Sequence, residues 1–159
     1  MLLWKDRKRK FSSFEIERNL NIKRVTLQDW LSRGFIDPEK KADGRGTKNK
    51  FSVWNLYQIK LFQVLIEHGL SREEASKRAK EYNFANLSND RVKKLKSKGI
   101  DFFDEKTEVD FLVIKRNGES LASEYKLSGE KIDMSLYQND DEIHFVNLTK
   151  IMREVNKAF

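Results

Sequence analysis

Arg24 and Gln28 stand four residues apart in the string KRVTLQDW. On a helix that spacing puts them one above the other. Both side chains end in planar heads that can form paired hydrogen bonds. A guanidinium matches the exposed edge of guanine in the major groove, and a carboxamide matches that of adenine. Lys23 and Thr26 beside them offer further donors for phosphate oxygens. A second polar and basic group, Arg45, Lys48, Asn49 and Lys50, lies in the glycine-bearing stretch EKKADGRGTKNK. The chemistry these residues can do together is recognition of a charged, base-bearing polymer rather than bond cleavage.

The charge pattern points the same way. The chain has 159 residues, 32 Lys/Arg and 25 Asp/Glu, for a net charge of +7. Residues 1–83 carry 19 basic and 11 acidic side chains, a net of +8, and residues 84–159 carry 13 and 14, a net of −1. A basic half beside a near-neutral half suggests a polyanion-binding module joined to something else. Hydrophobic residues at 38% support a packed core. The absence of cysteine removes disulfides, zinc ribbons and thiol catalysis, and with them thiolate sensing of metals. No stretch approaches the roughly 20 apolar residues of a membrane span. The basic start has no apolar segment behind it, so the expected compartment is the cytoplasm, with no membrane partner.

The elements that must position these side chains are legible from caps and periods. Ser12 and Glu15 form a capping-box pattern, and a short helix follows with Phe14, Ile16 and Leu20. Asn19 and Asn21 suit a tight turn. A second helix carries Val25, Leu27, Trp30 and Leu31 on one stripe and ends at Gly34. Pro38 forbids its continuation. Ser52 opens an amphipathic helix with Val53, Leu56, Tyr57, Ile59, Leu61, Phe62, Val64 and Leu65 inward, closed by Gly69. Ser71 and Glu74 open another, ending near Tyr82. Residues 84–100 read as a connector with a short basic helix from Asp90. Val109–Arg116 and Leu121–Leu127 read as strands around an Asn117-Gly118 turn. Glu142–Leu148 reads as a third strand and Thr149–Phe159 as a closing helix with Ile151, Met152 and Val155 inward.

The order SSFEIERNLNIKRVTLQDWLSRGFIDP, then the glycine-bearing loop, then FSVWNLYQIKLFQVLIEHGLSREEA resembles the MerR-like winged helix-turn-helix family. The carrying residues are Thr26, Leu27, Trp30, Gly34, Ile36 and Pro38, the Phe51-Ser52 pair, and Gly69-Leu70-Ser71-Arg72-Glu73-Glu74. The resemblance implies an α+β chain: an N-terminal four-helix winged helix-turn-helix, residues 12–83, behind a basic arm, 1–11. A connector, 84–100, leads to a small β-hairpin-plus-helix domain, 101–159, for dimerisation or effector binding. It implies a transcriptional regulator that binds double-stranded promoter DNA as a homodimer, without enzymatic activity or cofactor, its effector unspecified. Lys23, Arg24, Thr26 and Gln28 would then contact DNA from the second helix, and Arg45, Lys48, Asn49 and Lys50 from the wing. Three departures stand out. Gln28 stands where the family often has arginine, and Asp29 replaces a family tyrosine and repels phosphate unless it faces a cation. The wing is longer by about a residue than the commonest family pattern. The family's long dimer helix has no counterpart in 84–100, so a dimer must use the C-terminal half.

Two other readings share these residues. Winged modules of this type also occur in excisionases and phage packaging proteins, where DNA is bound as architecture. Separately, Glu108-Val109-Asp110, a hairpin, then Glu124-Tyr125-Lys126 resembles the acidic strand and Glu-x-Lys signature of restriction-endonuclease-like nucleases. There Asp110 and Glu124 would hold Mg²⁺ and Lys126 would position water. The simpler account is that Glu124 and Lys126 share the polar face of an alternating strand. The arm Lys5–Lys10 reads as a solvated tail that helps hold DNA, Trp4 as its staple, and His68 as a helix C-terminal residue. His144, near Asp140, Asp141 and Glu142, is a weak metal pattern.

Overall fold

The computed structural model describes residues 8–82, 84, 97–99, 110–126 and 133–159. These divide into two units: residues up to Ser88 together with Glu154–Phe159, and Asn89–Arg153.

The first unit is helical. α1 (Ser13–Asn19) is opened by Ser12, whose hydroxyl accepts from the Glu15 N–H while the Glu15 carboxylate accepts from the Ser12 N–H at 2.8 Å. The backbone bond from Ser12 holds the Glu15 carboxyl below its usual range. Asn21 then turns the chain at φ 53°, a left-handed conformation that Asn tolerates. α2 (Arg24–Ser32) follows, and Gly34 at φ 70° lets the chain leave it. α3 (Val53–Glu67) and α4 (Arg72–Glu81) both start with capping boxes, Ser52 with Asn55 and Ser71 with Glu74. Between α2 and α3 the loop is pinned by an antiparallel bridge between Lys40 and Lys50.

The core of this unit is aromatic. Phe62 of α3 meets Trp30 edge-on at 4.9 Å and stacks on Phe35 at 6.0 Å. Phe84 packs on Tyr57 and Tyr82, so the residue expected to begin the connector is a core residue. Phe11, expected as the last residue of the arm, is fully buried and exchanges two backbone hydrogen bonds with Phe51. The arm residues described beside it, Lys8, Arg9 and Lys10, are exposed, and two of them are held by surface ion pairs. Arg9 pairs with Glu15 at 3.0 Å and Lys10 with Glu39 at 2.6 Å, because α1 and the loop place carboxylates within their reach. Lys5–Arg7 and Trp4 lie outside the described residues, as does the expected helix from Asp90 apart from its end, where Ser97 is helical and Gly99 takes φ 73°.

The second unit holds a three-stranded antiparallel sheet in the order β2-β1-β3, with β1 (Phe111–Asn117), β2 (Ser120–Lys126) and β3 (Glu142–Asn147). β1 is central, and Leu112, Val113 and Ile114 are all buried. The consecutive apolar run thus marks a strand covered on both faces. The hairpin pairs Asn117 with Ser120, so its loop is Gly118-Glu119, one residue later than the Asn-Gly signal suggested. Gly118 has φ 55° while Glu119 does not enter the left-handed region, which fits a turn that takes glycine first. Asp141 clamps this turn by accepting from the Gly118 N–H at 2.7 Å.

A 3₁₀ turn, Met134–Tyr137, precedes β3. Tyr137 is buried. Its hydroxyl donates to Glu124 at 2.6 Å, and burial together with that carboxylate pushes its pKa up to about 12. α5 (Leu148–Ala158) closes the described chain with Leu148, Ile151, Met152 and Val155 buried. Its last turn belongs with the helical unit, where the Tyr57 hydroxyl donates to Asn156 at 3.2 Å. No helix among the described residues is long and apolar enough to cross a membrane.

Candidate nucleic-acid interface

α2 differs from its neighbours at its start. Lys23 occupies the N-cap with no side-chain hydrogen bond, and no acidic residue sits in the first turn. The positive end of the helix dipole therefore meets a cation instead of a capping oxygen, an arrangement that favours an external anion. The other end is held from α4. Ser76 donates to the Phe35 carbonyl at 2.7 Å and Lys80 to the Gly34 carbonyl at 2.6 Å. These bonds fix the helix exit and so the direction of α2.

Packing decides which face of α2 is free. Leu27 and Trp30 are turned into the core. Arg24 and Gln28 lie on the flank facing the loop and line a concavity of about 670 Å³ with Lys48, Asn49 and Thr47 of the loop and Ser12, Ser13 and Phe14 of α1. Two parts of the sequence about twenty residues apart thus converge on one surface. Lys48 and Lys50 also line an adjoining hollow with Lys40 and Lys41. Asn49 has a structural duty as well: its Oδ1 accepts from the Ala42 N–H at 2.8 Å and closes the loop. Arg45 is exposed between Gly44 and Gly46, both in the left-handed region.

Two expected site residues do not join them. Lys23 and Thr26 line a different hollow, with Trp30, Gln63, Ile66 and Glu67. At about 100° per residue, Thr26 stands roughly 160° from Gln28 around the helix, on the opposite flank. Val25 corrects the stripe in the other direction. It was expected inward with Leu27, yet it is 78% exposed. A two-residue separation cannot share a helix face, and that signal was already present in the spacing.

Asp29 does face cations. Arg33 Nε lies 2.7 Å from one carboxylate oxygen and Arg72 Nη1 lies 3.7 Å from the other. The condition for tolerating a carboxylate beside phosphate is met, and Arg72, from the first turn of α4, is a cation on this side of the domain that sequence reasoning did not assign.

The nuclease constellation is not assembled. Val113 pairs with Glu124, so those two residues share one face of the sheet. Asp110 precedes Phe111 by one residue, outside the strand. Its backbone is bonded to Leu148 and Thr149 at the start of α5. Glu124 is engaged by Tyr137 and by Lys115 at 3.4 Å. His144 sits 3.7 Å from Glu142, and among the described residues no three His, Asp or Glu side chains gather closely enough to hold a metal.

A short turn joining two helices, with Arg24 and Gln28 of the second beside a basic loop, has the arrangement of a helix-turn-helix. Residues 11–81 match the model of the MerR HTH family of regulatory proteins. The matched segment, a little under half of the chain, is similar to the helix-turn-helix of that family. No curated protein matches the chain.

Proposed function

We propose that the protein is a transcriptional regulator that binds a specific site in double-stranded DNA. α2 lies in the major groove, with Arg24 and Gln28 pairing with base edges. The loop between α2 and α3 acts as the wing, and Arg45, Lys48 and Lys50 meet backbone phosphates. Phosphate contacts set the register and base contacts choose the sequence. Two copies would join through the C-terminal half and read a symmetric site. The observation that carries this reading is the shared concavity of Arg24, Gln28 and Lys48 within a MerR-type domain.

Selection of bound genomic fragments, followed by binding measurements on the selected site and its single-base variants, tests it. A symmetric site is expected. Arg24→Ala and Gln28→Ala should each lose ~1–3 kcal/mol of discrimination at one position per half-site. If both variants discriminate as the wild type does, α2 is not the reading element.

A further inference from the structure

We propose that Val25 reads the 5-methyl group of a thymine in the bound duplex, which makes it a specificity-determining residue alongside Arg24 and Gln28. The inference rests on α2 being the recognition helix and adds a non-polar element to it. Val25 lies in the first turn of α2 and is 78% exposed, while Leu27 is fully buried and Trp30 is 6% exposed. A lone exposed aliphatic residue is ordinary. The surroundings set this one apart.

Around the helix Val25 stands about 60° from Gln28 and directly follows Arg24. It is therefore next to Gln28, which stands between it and Arg24 on the same side of the helix. Its other neighbour on the crest, Asp29, has its carboxylate held by Arg33 and Arg72, so the position beside Val25 presents less uncompensated negative charge to DNA. The other large apolar side chain exposed among the described residues of the helical unit, Phe14 at 69%, lines the same concavity as Arg24 and Gln28. Both large exposed apolar groups among the described residues of this unit therefore lie at or beside the candidate interface. A β-branched side chain on a helix has essentially one χ1 rotamer, so the valine methyls are held in place before any partner arrives. The apolar group that the major groove presents is the thymine C5-methyl.

The test replaces each thymine of the selected site in turn by deoxyuridine, which removes only that methyl, and compares wild type with Val25→Ala. The variant keeps a good helix former at an exposed position, so the fold is retained. For wild type, one thymine per half-site should become sensitive, with affinity falling about fourfold, the equivalent of one buried methyl-sized group. Val25→Ala should bind the thymine site about fourfold more weakly per half-site and show no further loss on deoxyuridine at that position. Selective wild-type binding with no methyl-sensitive position would overturn the Val25 assignment and leave the proposed function standing. Equal sensitivity in wild type and Val25→Ala would do the same. Failure of the wild type to select any DNA site would overturn both.

Discussion

Asp37 lies just beyond the exit of α2, where the Lys80 ammonium reaches its carboxylate at 2.7 Å and Lys41 stands at 3.7 Å. The hydrogen bond from Lys80 is the main reason its carboxyl stays below the ordinary value of 3.8. A carboxyl depressed in the folded state contributes stability above its unfolded value, and that contribution disappears as pH falls through the folded value. Asp37→Asn should therefore be less stable than wild type at neutral pH. The side chains are half exposed, so the loss should be about 0.2–1 kcal/mol. The gap should narrow as pH drops below 3.8. Urea denaturation of both proteins across that range checks it, and a pH-independent gap would mean that the carboxylate charge is not what matters. The same residue scale shows where reading the sequence stopped. Asp29 required a cation, and the nearer one, Arg33, is four residues along the helix and visible from spacing. Arg72 is brought to it only by the packing of α4.

Helix starts are written locally, and so they are the best-read elements. Ser12, Ser52 and Ser71 each sit three residues before a side chain that reciprocates the bond, and each begins a helix at that point. Ser52 matters most, because α3 carries Tyr57, Ile59, Leu61, Phe62 and Leu65 into the core. Ser52→Ala leaves the Asn55 N–H without its acceptor and should destabilise the protein by ~1 kcal/mol. Equilibrium denaturation should show a lower midpoint with an unchanged dependence on denaturant. A change in that dependence would instead point to a rearranged folded or unfolded state. The hairpin was legible only to within a residue: the Asn117-Gly118 pair marked the turn, but Gly118-Glu119 forms it, with Asp141 bonding the Gly118 N–H from just before β3. That bond spans more than twenty residues, beyond any local turn signal.

At the scale of the whole molecule the basic excess belongs to residues 1–83, and the concavity and its adjoining lysine-lined hollow lie in that half. Binding to duplex DNA should then weaken with salt, by about 0.9 log units of affinity per contacted phosphate for each log unit of salt. Lys48→Ala and Lys50→Ala should each make that slope shallower by about one, with nearly uniform loss across DNA sequences. Titrations over a range of ionic strength measure this directly. An unchanged slope would remove the loop from the backbone contacts while leaving α2 as the base reader.

The sequence alone determined where elements begin, where they turn and which half carries the charge. Caps, left-handed turn residues and strand alternation act within a few neighbours along the chain. The tertiary structure decided which side chains meet. It brought Arg24 and Gln28 to Lys48, turned Thr26 to the far flank, left Val25 in water and tied the Asp110 backbone to the start of α5 while Glu124 engaged Tyr137. Those outcomes depend on how helices pack and how strands register, where the partners are distant in sequence and no local pattern records the pairing.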